Sequence, residues 1–501
     1  MTIVENIKTF SRFHPDRLSI VDVDRKMTYR DLDYLSSNWA LEFHRRGVRS
    51  QSKVMVCLRN SNQFLATIVA LEKLDATIIP INYQLFQKDI KAICEKYGIH
   101  FIMTEIHFAP TFRGIENQLA IHYMETMTFD FKKPDDSAEQ ILTSYYSDHS
   151  EMLFFTSGST GEPKGIALSK KALNPTVLPD FLKVKPSVHF LVRPMFFRSH
   201  LTLAYSTILQ GDTLVVSNDD DPECIYSMLV SSGVNQMTSG PTDLYELMNY
   251  LEETDQMIPR SLKEVMSTGR AIPKELKNRL STHFPKCDII DFYGTSEIGA
   301  ISSISSSEEK WKNGSSGHPE FFVDLMIVND NGDPVPPLEQ GEICAKSKYC
   351  MKEYRLEKDL TLDTFIDGYI RTGDMGFVDE EGLLFIVGRK CEVINRGGFY
   401  FYPSELEDHL MSIPIVKDAV VLPAEDQRWG QVPAAFIVLY DVDSTHDALN
   451  SEEYLKSELF KSLPDHKIPE HFLFLEELPI NLGGKIDKPK LLKLLTPLIT
   501  H

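Results

Sequence analysis

Phe155-Thr-Ser-Gly-Ser-Thr-Gly-Glu-Pro-Lys-Gly165 is the densest chemical signal in this chain. Its three glycines, Gly158, Gly161 and Gly165, let the backbone turn and approach a ligand closely. Consecutive N–H groups in such turns form a concavity that binds anions. Thr156, Ser157, Ser159 and Thr160 add hydroxyl donors, and Lys164 adds a positive charge. Phosphate oxygens call for this set of groups. A flexible linker has no need of four hydroxyls, a proline and a lysine in this order. A nucleotide-hydrolysing loop of the G-x-x-x-x-G-K-[ST] type is excluded by order, because Glu162 follows Gly161 and Lys164 precedes Gly165.

Working outward, Val54–Leu58 reads as a strand, Phe64–Leu74 as a helix and Ala76–Ile81 as a second strand. That spacing predicts a βαβ unit in a parallel sheet. The pattern recurs at Thr213–Ser217, Pro222–Ser231 and Asn235–Ser239. Polar Lys132–Ser150 and Ser-rich Ser302–Gly317 read as connections. From Phe322 to Ala345 apolar residues alternate around Asn331-Gly332 and Pro334, which predicts antiparallel hairpins. Beyond Gly388-Arg389, a helical stretch near Ser404–Met411 and strands at Ala419–Leu422 and Ala435–Leu439 suggest a small separate domain.

The chain has 501 residues, too many for one compact core. Its net charge of −20 argues against nucleic acid as a partner and against an anionic membrane surface. Seven scattered cysteines with no C-x-x-C pair predict free thiols in a reducing compartment. With no signal-peptide pattern at the N-terminus and no apolar run long enough to span a bilayer, a cytoplasmic protein is expected.

The order TSGSTG-x-PKG resembles the signature of the ANL superfamily of adenylate-forming enzymes: acyl-CoA synthetases, adenylation domains and beetle luciferases. Further motifs follow in the family's order across nearly the whole chain. The resemblance implies an α/β fold. A large N-terminal domain, 1–390, would combine parallel-sheet subdomains with a small antiparallel β-barrel, and 391–501 would form a mobile α+β domain. It implies ATP, Mg²⁺ and a carboxylic acid as reactants. CoA or a carrier-protein phosphopantetheine supplied in trans would be the thiol acceptor.

Roles follow residue by residue. Asp291-Phe-Tyr-Gly-Thr-Ser-Glu297 resembles Y-G-x-T-E: Tyr293 and Gly294 would lie on adenine, and Asp291 would accept from its amino group. Ser296 keeps the hydroxyl of the usual Thr, and Glu297 would hold Mg²⁺. Ser267-Thr-Gly-Arg-Ala271 resembles the loop along the adenine, with Gly269 in place and Arg270 bulkier than usual. Asp374, in Tyr369-Ile-Arg-Thr-Gly-Asp374, would bind the ribose hydroxyls, and Arg389 would reach the ribose or phosphate end. Lys485, in Leu478-Pro-Ile-Asn-Leu-Gly-Gly-Lys485, would stabilise charge on the α-phosphate.

Departures from the family pattern bear on the substrate. Pro194-Met-Phe-Phe-Arg-Ser-His200 carries Phe197 where the family has an aromatic or His gate, and Arg198 beside it could meet a second anionic group or a phosphate of CoA, or could equally be a surface arginine. His200 reads as a packing residue. Gly240 would join the acid pocket. The α-amino-acid-binding Asp is absent. Cys391 occupies the hinge position where Asp or Lys is usual, and Gly397-Gly398 would line a tunnel for a pantetheine arm. Near the N-terminus, Met27–Leu32, Asn60 and Pro80-x-Asn82 match the family, and its K-A-G-A reads Lys73-Leu-Asp-Ala76. A non-catalytic relative would lose Lys485, Glu297 or Asp374, and all three are present. Nothing calls for a luciferase-type oxygenase.

Overall fold

The strand Lys53–Cys57 lies parallel to Thr77–Pro80, with the helix Asn62–Lys73 crossing between them. This is the βαβ unit that the apolar spacing predicts. The computed structural model describes residues 2–115, 119–145, 151–157, 163–173, 185–440, 446–479 and 486–499. Among these, four sheets organise the chain.

A seven-stranded sheet is built on Lys53–Cys57, Thr77–Pro80, Phe101–Thr104, Ala120–Tyr123 and Glu151–Ser157, all parallel. Pro163–Ser169 and Glu353–Arg355 extend it antiparallel. A nine-stranded sheet has a parallel centre of Asp288–Thr295, Glu264–Ser267, Gln236–Ser239, Val188–Leu191, Thr213–Val216 and Leu18–Val21. The helix Pro222–Ser231 connects Thr213–Val216 to Gln236–Ser239 as expected, but Val188–Leu191 lies between those two strands. Thr213–Val216 is buried throughout, the pattern of a strand covered on both faces. One apolar cluster draws Ile20, Leu201, Tyr205 and Leu214 from one sheet's side and Val54, Phe64, Ile78 and Phe154 from the other's, so the two share a core.

The third sheet is antiparallel: Val323–Val328, Gly341–Ser347, Tyr369–Val378, Phe365–Ile366 and Leu384–Arg389. Register shifts near Glu342–Cys344 and Met375–Gly376 curl it, giving the small barrel-like layer expected here. The fourth joins Ile394–Arg396, Phe399–Phe401, Gly430–Leu439 and Val416–Asp426 antiparallel, with His471–Leu475 parallel on one edge. Helices Pro403–Met411, His446–Phe460 and Lys488–Ile499 accompany it. Its two apolar clusters use only residues from Ile394 onward, whereas the other clusters end by Ile386. A short 3-10 turn, Lys390–Glu392, lies between.

Two connections hold more structure than their polarity suggests. Within 132–150 lies the helix Asp136–Thr143; Asp136 and Glu139 suit its N-terminal dipole, and Glu139 pairs with Lys8 at 3.8 Å. Ser302–Ser305 belong to the strand Gly299–Ser305, held to the core by Ile301 and Ile304, before the 3-10 helix Glu309–Asn313.

Local chemistry explains several matches to the family. Thr28 and Asp31 form a capping box at the start of the helix Tyr29–Arg45, a device worth about 1 kcal/mol. Asp75, where the family has Gly, sits at φ 53° and is 1% exposed. Asp tolerates this left-handed region better than most residues. Its carboxylate accepts from Ser50 Oγ at 2.9 Å and pairs with Lys170 at 3.3 Å, so the change is accommodated structurally. Among the described residues, no helix is long and apolar enough to cross a membrane.

Candidate active site

The carboxyl ends of parallel strands gather eight of the predicted residues. Gly240 follows Gln236–Ser239, and Gly269-Arg270 follow Glu264–Ser267. Tyr293, Gly294, Ser296 and Glu297 lie at or just beyond the end of Asp288–Thr295, and Phe197 caps the helix Arg198–Leu209 after Val188–Leu191. Open α/β sheets bind ligands in the crevice outside these ends.

One cluster joins three predicted nucleotide-binding residues. Tyr293 donates its hydroxyl to Asp374 Oδ2 at 2.8 Å, and Arg389 Nε pairs with Asp374 Oδ1 at 2.9 Å. Asp374 and Arg389 are direct cross-strand partners in the curled sheet, so backbone register brings them together. Burial, and then the Asp374 carboxylate, hold the Tyr293 phenol far above its ordinary range, so it remains a proton donor. An ionised carboxylate only accepts, so Asp374 suits a ligand hydroxyl as donor. Asp291 is buried beside this cluster; burial raises its carboxyl despite the pairing with Lys277 at 3.2 Å. Its Oδ2 also accepts from Ile272 N at 3.3 Å. Gly294 is a place where two backbones meet: a Cβ there would lie 2.2 Å from Gly299 O.

A second cluster centres on Glu297. Tyr354 donates to Glu297 Oε1 at 2.8 Å, and Lys164 Nζ lies 5.9 Å from the centre of the Tyr354 ring. Sequence reading missed Tyr354, which sits in a three-residue strand 57 positions from its partner. Burial, and then Glu297, push its phenol far up, so it too donates. No hydrogen bond or ion pair from a described residue falls on Glu297 Oε2. Among the described residues no group of three or more His, Cys, Asp and Glu could hold a metal. A single carboxylate with an open oxygen fits a hard cation that takes its remaining ligands from water and substrate phosphates.

The described flanks of the predicted phosphate segment, Phe155–Ser157 and Pro163–Gly165, are paired antiparallel. Thr156 pairs with Lys164 and Ser157 with Pro163, so the extended strands reach further into the motif than a glycine-rich loop suggests. Gly165 is a strand residue: its N donates to Tyr97 Oη at 3.0 Å, and a Cβ would lie 2.9 Å from that ring. Gly158, Ser159, Thr160 and Gly161 lie outside the described residues, as does Lys485.

Near the predicted gate residue Phe197, Asn60 fixes the preceding segment, donating to Arg193 O at 3.0 Å and accepting from Met195 N at 2.8 Å. Phe197 is half-buried with its ring 4.4 Å from that of Phe196. Gly240 N donates to Asp243, which also pairs with Arg193 at 2.6 Å. His200 is buried, with Nδ1 3.1 Å from Ser199 Oγ, and burial pushes its pKa down to about 3. Arg198 is 5% exposed and donates to the carbonyls of Ser296, Ile298 and Tyr349, so it is no surface arginine.

Arg270 turns toward the C-terminal sheet, pairing with Asp418 at 2.9 Å and donating to Thr242 Oγ1 at 3.2 Å. Cys391 is exposed within Lys390–Glu392. Gly397 and Gly398 have φ of 60° and 95° and form the tip of the hairpin between Ile394–Arg396 and Phe399–Phe401, a turn that favours glycine at both positions.

With this geometry in view, comparison with known proteins is specific. The family model described as AMP-binding enzyme matches residues 7–355, and that of the AMP-binding enzyme C-terminal domain matches 405–485. The chain is 28% identical over 489 residues to a 2-succinylbenzoate--CoA ligase of Bacillus pumilus, covering 95% of each. It is 28% identical over 491 residues to that of Bacillus subtilis, again 95% of each. Among solved structures, an anthranilate CoA ligase in complex with anthranoyl-AMP has TM-score 0.86 and 22% identity, covering 100% of this chain and 98% of that one. An o-succinylbenzoate CoA synthetase of Bacillus subtilis with AMP has TM-score 0.83 and 24% identity, covering 97% of each. The two structural likenesses establish the fold, and the family matches span both the strand-end crevice and the C-terminal sheet. The chain belongs to the AMP-binding enzyme family, within the adenylate-forming superfamily that its motifs resemble.

Proposed function

We propose that this enzyme activates a carboxylic acid with ATP and transfers the acyl group to CoA. The observation that carries the reading is the pairing of Asp374 with Tyr293 and Arg389, and of Glu297 with Tyr354, whose ring lies 5.9 Å from Lys164 Nζ. The near full-length match to relatives named 2-succinylbenzoate--CoA ligase supports CoA as the acceptor.

In the first half-reaction an acid oxygen attacks the α-phosphorus of ATP. The bond to the bridging oxygen breaks, and pyrophosphate leaves. Tyr293 and the Gly269-Arg270 loop flank the adenine, and Asp374 accepts from the ribose with Arg389 alongside. Thr156, Ser157, Gly158, Ser159, Thr160, Gly161 and Lys164 hold the leaving phosphates. Glu297 would hold Mg²⁺, whose contribution when bound is to neutralise phosphate charge. Lys485 stabilises charge gathering at the α-phosphate. Ser296 supplies a hydroxyl at the edge of this site, and Phe197 and Gly240 line the acid pocket.

In the second half-reaction the CoA sulfur attacks the acyl carbon. The bond from that carbon to the phosphate oxygen breaks, AMP leaves, and the thiol proton is released. Residues 391–501 form the unit that rotates about Cys391 between the two steps, with Gly397-Gly398 facing the pantetheine arm. The separation of apolar clusters at Lys390–Glu392 supports 1–390 and 391–501 as the two units. Seven free cysteines support a cytoplasmic location, which cell fractionation would check.

ATP–pyrophosphate exchange over a panel of acids tests the reading. The panel begins with 2-succinylbenzoate, the acid in the relatives' names, and runs through aryl, short-chain and long-chain acids. Exchange with at least one acid, followed by its CoA thioester on adding CoA, is the expected result. No exchange with any acid would sink the proposal.

A further inference from the structure

Arg198 is a buried guanidinium whose hydrogen-bond partners in the described residues are all backbone carbonyls. It opens the twelve-residue helix Arg198–Leu209, directly after the acid-gate residue Phe197. One terminal nitrogen donates to Ser296 O, and the other to Ile298 O at 3.2 Å and to Tyr349 O. Between the two carbonyls on its own loop lies Glu297. The Glu297 carbonyl is itself taken by Met351 N at 2.7 Å, and its carboxylate by Tyr354. All three carbonyls of Ser296–Ile298 are therefore engaged, two of them by one side chain.

A guanidinium is suited to this work because its planar fork holds several acceptors in fixed directions. Burying it without a carboxylate in contact is costly, which a surface arginine would avoid. The fold also makes room for it. Gly299 follows the clamped segment at φ 95°, and a Cβ there would lie 3.1 Å from the guanidinium.

We propose that Arg198 is a positioning residue for the metal site: it fixes the Ser296–Ile298 backbone so that Glu297 presents its open oxygen to the cation. The proposal rests on Glu297 holding the metal. It makes the start of the acid-side helix part of the same rigid unit as the metal carboxylate. Arg198 touches no reacting atom in this role, so its loss acts through Glu297 and leaves the Asp374 cluster intact.

Mn²⁺ titration followed by electron paramagnetic resonance, on the full chain with α,β-methylene-ATP, separates the roles. Affinity for the analogue without metal is measured in parallel. Glu297→Gln is expected to weaken Mn²⁺ binding at least tenfold. Arg198→Gln should do the same while metal-free analogue affinity stays within twofold, and Arg198→Lys should fall between. If Glu297→Gln weakens Mn²⁺ and Arg198→Gln changes it less than threefold, the positioning role is wrong and the metal reading stands. Equal loss of metal-dependent and metal-free binding in Arg198→Gln also overturns it, as a general structural effect. If Glu297→Gln itself has no effect, both fall. Should Arg198→Gln fail to fold, Arg198→Lys decides, a loss below twofold overturning the proposal.

Discussion

The Tyr354 hydroxyl donates to Glu297 Oε1 at 2.8 Å, linking an edge strand of the seven-stranded sheet to the turn beyond Asp288–Thr295 of the nine-stranded sheet. With Lys164 over the Tyr354 ring, one aromatic residue connects the strand Pro163–Ser169 to the Glu297 carboxylate, the proposed metal ligand.

Tyr354→Phe removes that donor and keeps the ring. A hydrogen bond to a charged group is worth about 1.5–3 kcal/mol, so pyrophosphate exchange should fall roughly 10- to 100-fold. The Mg²⁺ concentration for half-maximal exchange should rise, while the KM for ATP at saturating Mg²⁺ changes little. An unaltered Mg²⁺ dependence would count against the contact.

Asp374→Asn and Arg389→Gln should each weaken AMP binding by about 10-fold or more, because both lose the same charge-assisted pair. The double variant should be little worse than either single one, since neighbours in one network are not additive. Calorimetric titration with AMP checks this, and simple additivity would contradict it.

Lys485→Ala should slow adenylation by about 10²–10³-fold, the typical loss of about 3–4 kcal/mol for one donor to developing charge. Thioester formation from an added acyl-adenylate and CoA should stay within about tenfold of wild type. Comparable loss in both half-reactions would rule out a role confined to the first.

Two buried imidazoles set an acid limit on stability. Burial pushes His189 down to about 4 and His200 to about 3, the latter aided by Arg193 and His189. The unfolded chain protonates both near 6.5. Their contribution is therefore present above about pH 6.5 and is lost as pH falls toward their folded values. The shifts correspond to about 3 kcal/mol for His189 and about 5 kcal/mol for His200. Melting temperature should fall as pH drops from 6.5 to 4.5, and His200→Gln should flatten that slope. An unchanged slope would refute the assignment.

The Arg270–Asp418 pair joins the Gly269-Arg270 loop to the C-terminal sheet, beside a Lys417–Glu246 pair at 2.8 Å and stacked Tyr245 and Tyr440 rings. Because the pair is partly exposed, it is worth about 0.5–1 kcal/mol. Arg270→Ala should therefore speed tryptic cleavage at Lys390 by about twofold to fivefold. No change in cleavage rate would show that the pair does not restrain the C-terminal unit.

The sequence by itself determined the chemistry of the ligand and the kinds of layer that hold it. Hydroxyls, glycines and Lys164 in fixed order specify phosphate, and apolar spacing at Val54–Ile81 specifies a βαβ unit, because both signals are local. Motif order supplied Asp374, Glu297 and Lys485. Tertiary structure decided what those residues touch. Asp374 meets Arg389 through strand register, and Glu297 meets Tyr354 only because Glu353–Arg355 returns to the seven-stranded sheet. Arg198, ambiguous in the sequence, became a buried clamp because the helix it opens packs against the Glu297 turn. Even the opening motif was redrawn, since the pairing of Thr156 with Lys164 makes much of it strand. Contacts between distant residues depend on how sheets close on one another, and no local pattern carries that information.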